Sequence, residues 1–391
     1  MRNLLGSRTL RDPVLIGDGD ATVHTPILAI SRRTRCTPVS ARVTAAGVKG
    51  YTVYNHMLLP TVFESMEADY WHLKRHVQVW DVACERQVEV RGPDATRLVQ
   101  MLTPRDLSSM TVGRCYYTPM VDETGGMLND PVTLKLDDDR YWISIADSDL
   151  LLWVKGLAFG MRLEADVSEP DVSPLAVQGP KAEQLMTRVF GEQVRSIRFF
   201  HFRLLGFQGR QLIVSRSGYS RQGGFEIYVD EASFGEPLWD ALFAAGENLG
   251  VRAGGPNLIE RVESGLLSYG NDMTRENTPH ECGLGRFCDT PDAIGCVGRD
   301  ALLRVTAEGP IRQIRGLKIT GEPVPPCTEL WHVFADGERV GSVSSAIWSP
   351  EFNTNVAIGM IHMTHWAPGT KLEVRAPDGA RAAKVCHLPH N

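Results

Sequence analysis

With 391 residues, 43% of them apolar and 23% charged, the chain has the balance of a globular protein long enough for two or three packed units. A formal net charge of −6 and a pI near 6.0 exclude the basic footprint of a nucleic-acid binder. The most apolar stretch, YWISIADSDLLLWVKGLAFGM (141–161), is interrupted by Asp147, Asp149 and Lys155 and does not read as a bilayer span.

The opening residues lack the apolar core and cleavage site of a signal peptide, so a cytoplasmic location is expected. Residues 1–27 are rich in turn formers and poor in periodicity, and are expected to form a flexible N-terminal extension. Further on, VEVRGPDATRLVQMLT (88–103) and LAVQGPKAEQLMTRVF (175–190) repeat one pattern: an alternating strand, Gly-Pro, then an amphipathic helix. Superposing Gly92-Pro93 on Gly179-Pro180 brings Ala95 onto Ala182 and Leu98 onto Leu185. Each copy is later followed by a Gly-Gly turn between strand-like runs, GGMLNDPVTL in the first and SRQGGFEIYV in the second. The shared order predicts a duplicated α+β unit, divided as 28–170 and 171–309, boundaries that a discontinuous chain path would redraw. The segment PNLIERVESGLLSYGNDM (256–273) has helical spacing, closed by Gly270 and Asn271. From 310 to 391, short alternating strands separated by Gly, Pro and Asn predict a small all-β domain.

Four places offer chemistry. On the strand that follows Gly223-Gly224, Glu226 and Tyr228 share one face while Phe225 and Ile227 share the other. A carboxylate there accepts a planar two-donor fork, either an arginine or the N3–H and amino group of a reduced pterin; the residues alone leave both open. Tyr219, just before the turn, could stack on such a ring. In the first hairpin, Asn129 and Asp130 are adjacent, so at most one of them faces a given cavity; the alternative is that they bond their own turn. The polar break IADSD (145–149) offers Ser148 at a pocket rim, or is a loop. In SYGNDMTRENTPHECGL (268–284), His280, Glu281 and Asp272 lack a nucleophile with a matching signature, which argues against a catalytic triad.

The cysteines at 36, 84, 115, 282, 288, 296, 327 and 386 form no CxxC pair, so neither a disulfide framework nor a metal site is expected. GxxxxGK[ST], GxGxxG and HExxH are absent, which weighs against phosphoryl transfer, nicotinamide redox and zinc hydrolysis.

Taken together, YTVYNHMLLP (51–60), VQVWDVACERQVEVRGPDA (77–95), MLTPRDL (101–107), CYYTPMVDETGGMLNDPV (115–132), YWISIADSDL (141–150), LAVQGP (175–180), RSGYSRQGGFEIY (216–228), PNLIERVESGLLSYGND (256–272) and ECGLGRF (281–287) resemble the folate-dependent family typified by the glycine-cleavage aminomethyltransferase. The similarity covers about 28–390 and is closest to the branch that demethylates dimethylsulfoniopropionate. The resemblance implies a three-domain cloverleaf of two α+β units and a C-terminal β domain around a central opening that holds tetrahydrofolate. It implies that Glu226 grips the pterin, with Tyr219, Tyr228 and Ser148 as further cofactor-binding residues. It implies a catalytic role for the Asn129-Asp130 pair, where the wider family has two aspartates. Asn129 in place of the first suits a sulfonium methyl, which leaves on a neutral thioether, better than an aminomethyl group. Tyr54 and Tyr117, from a dense aromatic set with Tyr51, Trp71 and Tyr116, are the substrate-binding candidates for the sulfonium. Other donors (glycine betaine, dimethylglycine, a methoxylated aromatic acid) and a non-catalytic folate-binding module are the rival readings; a homodimer is left open.

Overall fold

In the computed structural model, residues 31–288 and 295–390 are described, so the extension expected over 1–27 lies outside the described residues. An antiparallel sheet, a mixed sheet and a barrel organise the chain. In the five-stranded sheet the order is Asp166–Ser168, Gln87–Arg91, Arg140–Ser144, Val132–Asp137 and Cys115–Tyr117, each pair antiparallel. Helices Ala95–Leu102 and Leu150–Gly160 close one core with it, Leu98, Leu102 and Val154 meeting Val88, Val90 and Ile143. Full burial of each such side chain contributes roughly 1.5–3 kcal/mol relative to exposure.

The six-stranded sheet runs Phe202–Phe207, Arg210–Ser215, Gly224–Val229, Ser173–Gln178, Val77–Asp81 and Val251–Gly254, with only the last pair parallel. Helices Ala182–Phe190 and Gly235–Gly246 pack on it through Leu185, Met186, Leu238 and Leu242. The two strand–Gly-Pro–helix copies thus sit on different sheets. At each junction the glycine has a left-handed backbone, φ +130° at Gly92 and +120° at Gly179. A Cβ would stand 2.6 Å from the Glu164 carbonyl at the first and 2.5 Å from the His76 carbonyl at the second. Only glycine lets the strand turn into its helix this closely.

Two sequence expectations differ from this. The boundary at 170/171 divides the two sheets only in part, because Val77–Asp81, from the first half, lies between Ser173–Gln178 and Val251–Gly254 in the second sheet. The unit built on that sheet is therefore discontinuous. The helix expected over 256–273 ends at Ser264, where Gly265 takes φ +66° and caps it; the residues beyond are irregular.

Residues Arg312–Ile319, Thr354–His362, Glu338–Ser349, Trp331–Ala335, Lys371–Ala376 and Gly379–Cys386 close a six-stranded barrel in that order. A β-bulge between Val343 and Ser345 brings Ser344 and Ser345 to Asp272, at 2.7 and 2.6 Å, where Arg261 of the helix Leu258–Ser264 also pairs at 2.8 Å. This buried knot fastens the barrel to the rest. Among the described residues, no helix is long and apolar enough to cross a membrane.

Candidate active site

Both sheets and the barrel contribute to the wall of a central cavity of about 1510 Å³. One wall is the strand Gly224–Val229. Its Phe225, Ile227 and Val229 face the helical core, so the period of two turns Glu226 and Tyr228 the other way. Glu226 lines the cavity and is buried. Its Oε2 accepts the Ser217 hydroxyl, and the Tyr228 hydroxyl stands 3.5 Å away. Among the described residues its Oε1 takes no bond from the protein, which leaves one oxygen to the cavity. Burial pushes this carboxyl above the usual carboxylate range, against the downward pull of Ser217, Tyr228 and Ser215. Tyr228 does not reach the cavity. It is packed behind Glu226 against Trp142, ring centroids 6.0 Å apart, and its phenol is held well above its ordinary value by burial and by Glu226.

Tyr219 lines the cavity with its hydroxyl donated to the carbonyls of Leu267 at 2.7 Å and Leu266 at 3.2 Å, which leaves its ring to face a ligand. The loop carrying it is tied to Gln178, whose Nε2 donates to the Ser217 carbonyl at 3.2 Å and whose Oε1 accepts the Ser220 hydroxyl at 2.7 Å.

Asp130 and Asn129 part company. Asp130 lines the cavity; its Oδ2 accepts the Tyr117 hydroxyl at 2.8 Å, yet burial outweighs that bond and pushes its carboxyl up to about 7. Asn129 is fully buried in the wall: its Oδ1 accepts the Ala146 N–H at 2.9 Å, and its Nδ2 donates to the Ala146 carbonyl at 3.0 Å and to Ser148 Oγ at 2.8 Å. Ser148 passes the bond on to the Leu128 carbonyl at 2.9 Å. Asn129 and Ser148 brace the hairpin from behind. The carboxylate that this hairpin offers the cavity is Asp130, so asparagine at 129 leaves the cavity's charge unchanged.

Among the aromatic candidates, Tyr54, Tyr116 and Tyr117 line the cavity. Tyr54 comes from the hairpin Gly50–Tyr54/Met57–Val62, whose two-residue turn has φ of 50° at Asn55 and 63° at His56, the geometry that a tight antiparallel hairpin requires. Its tip is seated by Asn55, which donates to the carbonyls of Cys84 at 2.9 Å and Ala146 at 3.1 Å. Tyr51 packs against the helical core, and Trp71 bonds Glu67 on its own helix. Neither is at the site.

Three features escaped the sequence reading. Glu85, in the turn after Val77–Asp81, faces the same cavity as Asp130 and Glu226. Arg105 lies over the Tyr116 ring at 4.1 Å and donates to the Tyr117 carbonyl at 2.8 Å, fixing two wall residues at once. Ser217 is the direct partner of Glu226. Ser217 and Arg105 meet their partners only 9 and 12 residues along the chain, but across a turn that the alternation of polar and apolar residues does not describe, and Glu85 meets Asp130 and Glu226 only through the fold. Asp272 and Glu281 turn out structural: Asp272 belongs to the Arg261 knot, and Glu281 pairs with Arg312 of the barrel at 2.7 Å.

The arrangement suits a planar, donor-edged ring: a buried carboxylate with an open oxygen, an aromatic face at Tyr219 and a second titratable carboxylate at Asp130. Comparisons with known proteins agree with that chemistry. Residues 39–291 match the GCVT N-terminal domain and residues 312–390 the glycine cleavage T-protein C-terminal barrel domain. The chain is 63% identical over 355 residues to dimethylsulfoniopropionate demethylase DmdA of Ruegeria pomeroyi, covering 91% of this chain and 97% of that one. It is 30% identical to an aminomethyltransferase of Symbiobacterium thermophilum, covering 85% and 90%. Among solved structures, aminomethyltransferase T of the glycine cleavage system of Bartonella henselae superposes with a TM-score of 0.81 at 24% identity, covering 90% of this chain and 97% of that one, so the fold is the T-protein cloverleaf.

Proposed function

Since the chain belongs to the glycine-cleavage T-protein family, we propose that it is a tetrahydrofolate-dependent dimethylsulfoniopropionate demethylase. When bound, tetrahydrofolate supplies the nucleophilic N5 that takes a methyl from the sulfonium, giving 5-methyltetrahydrofolate, 3-(methylthio)propanoate and a proton. The observation that carries the folate reading is Glu226: a buried carboxylate, on a rigid strand, with one oxygen open to a large cavity. The pterin's N3–H and amino group would bond to it, and the Tyr219 ring would cover the heterocycle. The similarity to the Ruegeria pomeroyi demethylase points to the donor.

The methyl leaves on a neutral thioether, so the protein needs no acid for the leaving group. Its tasks are to align donor and acceptor and to take up the proton that N5 gives up. Asp130, a cavity-wall carboxyl pushed up to about 7 with a hydrogen bond from Tyr117, is our candidate to take that proton. Tyr54 and Tyr117 offer ring faces to the sulfonium. We place the reaction in the cytoplasm, a setting that suits eight free cysteines.

The test is incubation with dimethylsulfoniopropionate, with and without tetrahydrofolate, following both products by mass. The expected result is equal amounts of methylated folate and thioether, strictly dependent on tetrahydrofolate. Methylation of folate by glycine betaine or dimethylglycine, with none from the sulfonium, would overturn the donor and keep the folate.

A further inference from the structure

Glu85 stands in a turn whose main chain is fixed on both sides: its N–H bonds the Val82 carbonyl at 2.9 Å, and its own carbonyl accepts Gln87 Nε2 at 2.8 Å. The adjoining Cys84 carbonyl takes the Asn55 side chain, which seats this turn against the hairpin tip that presents Tyr54. The side chain of Glu85 lines the central cavity with Asp130 and Glu226. Those two each hold a hydroxyl donor, from Tyr117 and Ser217. Among the described residues, the carboxyl of Glu85 has neither a hydrogen bond nor an ion pair. Burial first, then the facing Glu226 and Asp130, push it well above the usual carboxylate range, and no arginine or lysine offsets them. Tyr54, Cys84 and Tyr228 also face it, and all three are held neutral. A carboxyl kept protonated by its neighbours becomes an anion when a positive charge arrives beside it.

We propose that Glu85 is the counter-charge that selects a cationic methyl donor: arrival of the sulfonium ionises its carboxyl and releases the proton to the medium. This rests on the donor reading above. Of the other cavity carboxylates, Asp130 and Glu226 hold hydroxyl donors and Asp147 accepts the Asn55 N–H at 2.7 Å, and a sulfonium, which donates no hydrogen bond, is held by charge and by aromatic faces alone. Glu85 beside Tyr54 supplies both. It would also favour product release, since the neutral thioether leaves the carboxyl free to take a proton again.

The full chain, saturated with folic acid so that no methyl can move, is titrated calorimetrically with dimethylsulfoniopropionate and with 3-(methylthio)propanoate. Each titration is run at pH 7 in two buffers of different ionisation enthalpy. The wild type is expected to bind the sulfonium at least about tenfold tighter than the thioether and to release close to one proton. Glu85→Gln should lose that preference and the release, with folic acid affinity within about twofold of wild type. Glu85→Asp, which keeps the charge, should retain the release. Unchanged preference and release in Glu85→Gln would overturn the proposal, as would a loss of folic acid affinity in that variant, which would assign Glu85 to the pterin. Failure of the wild type itself to bind the sulfonium would instead sink the donor reading.

Discussion

At Asp130, burial and the Tyr117 hydroxyl act in opposite directions, and burial wins, so the carboxyl titrates near neutrality. If it takes the N5 proton, turnover should rise with pH through about 7 and level off above it. Asp130→Asn should remove that limb and lower kcat by roughly 100-fold, read from a pH–rate profile. Stability responds with the opposite sign. Between about pH 4 and 7 the unfolded chain has lost the proton that the folded one keeps, so this group makes folding less favourable as pH rises across that window. Denaturation midpoints of Asp130→Asn should be flatter there than those of the wild type. Glu226→Gln exchanges one acceptor oxygen for a donor amide and should weaken folate binding roughly 10- to 100-fold, measured by fluorescence titration. The pairing of Glu226 with Tyr228 on one strand face was legible from the period of two. What the period does not contain is depth: Tyr228 is packed behind Glu226 instead of beside a ligand. Likewise the sequence shows that only one of Asn129 and Asp130 can face the cavity. That it is Asp130 follows from Asn129's side chain being taken up by Ala146 and Ser148 in the wall, contacts made 17 and 19 residues along the chain.

The strand–Gly-Pro–helix junctions were the clearest elements in the sequence, because glycine and proline report backbone geometry directly. Gly179 meets both reasons for glycine, a left-handed φ and a carbonyl 2.5 Å from any Cβ. Gly179→Ala should cost roughly 1–3 kcal/mol in urea denaturation, and more if the His76 carbonyl loses its hydrogen bond from Lys181. A substitution at Gly191, which has open space around it, would carry only the backbone term and serves as the comparison. The apolar spacing of Leu266 and Leu267 continues the helical pattern beyond Gly265, but the helix ends there for reasons of packing, since those carbonyls are turned to receive Tyr219.

At the scale of the whole molecule, the cavity exists only where two sheets and a barrel meet, so a ligand bound in it should hold all three together. Saturating tetrahydrofolate should raise the melting temperature, by about 2.7 kcal/mol of stabilisation at 100 times its Kd. The Arg261–Asp272 pair, reached by Ser344 and Ser345, is a buried polar tie to the barrel. Arg261→Met strands a buried aspartate and should lower stability by roughly 3–5 kcal/mol, seen as an earlier transition in thermal unfolding. The three-part architecture was legible from the repeat and the change of texture near 310. The exchange of Val77–Asp81 between halves was not, since nothing local distinguishes a strand that pairs with its neighbours from one that pairs with residues far along the chain.

That exchanged strand has a consequence for the order of events on the ribosome. Val77–Asp81 emerges early, yet its two neighbours in the sheet, Ser173–Gln178 and Val251–Gly254, are made about 90 and 170 residues later. At the usual pace of about 5–20 residues per second it waits several seconds or more, carrying Val77, Val79 and Trp80 uncovered. A nascent chain stalled before residue 254 therefore presents a half-made, apolar sheet edge, and should aggregate more readily than one released after that strand is complete.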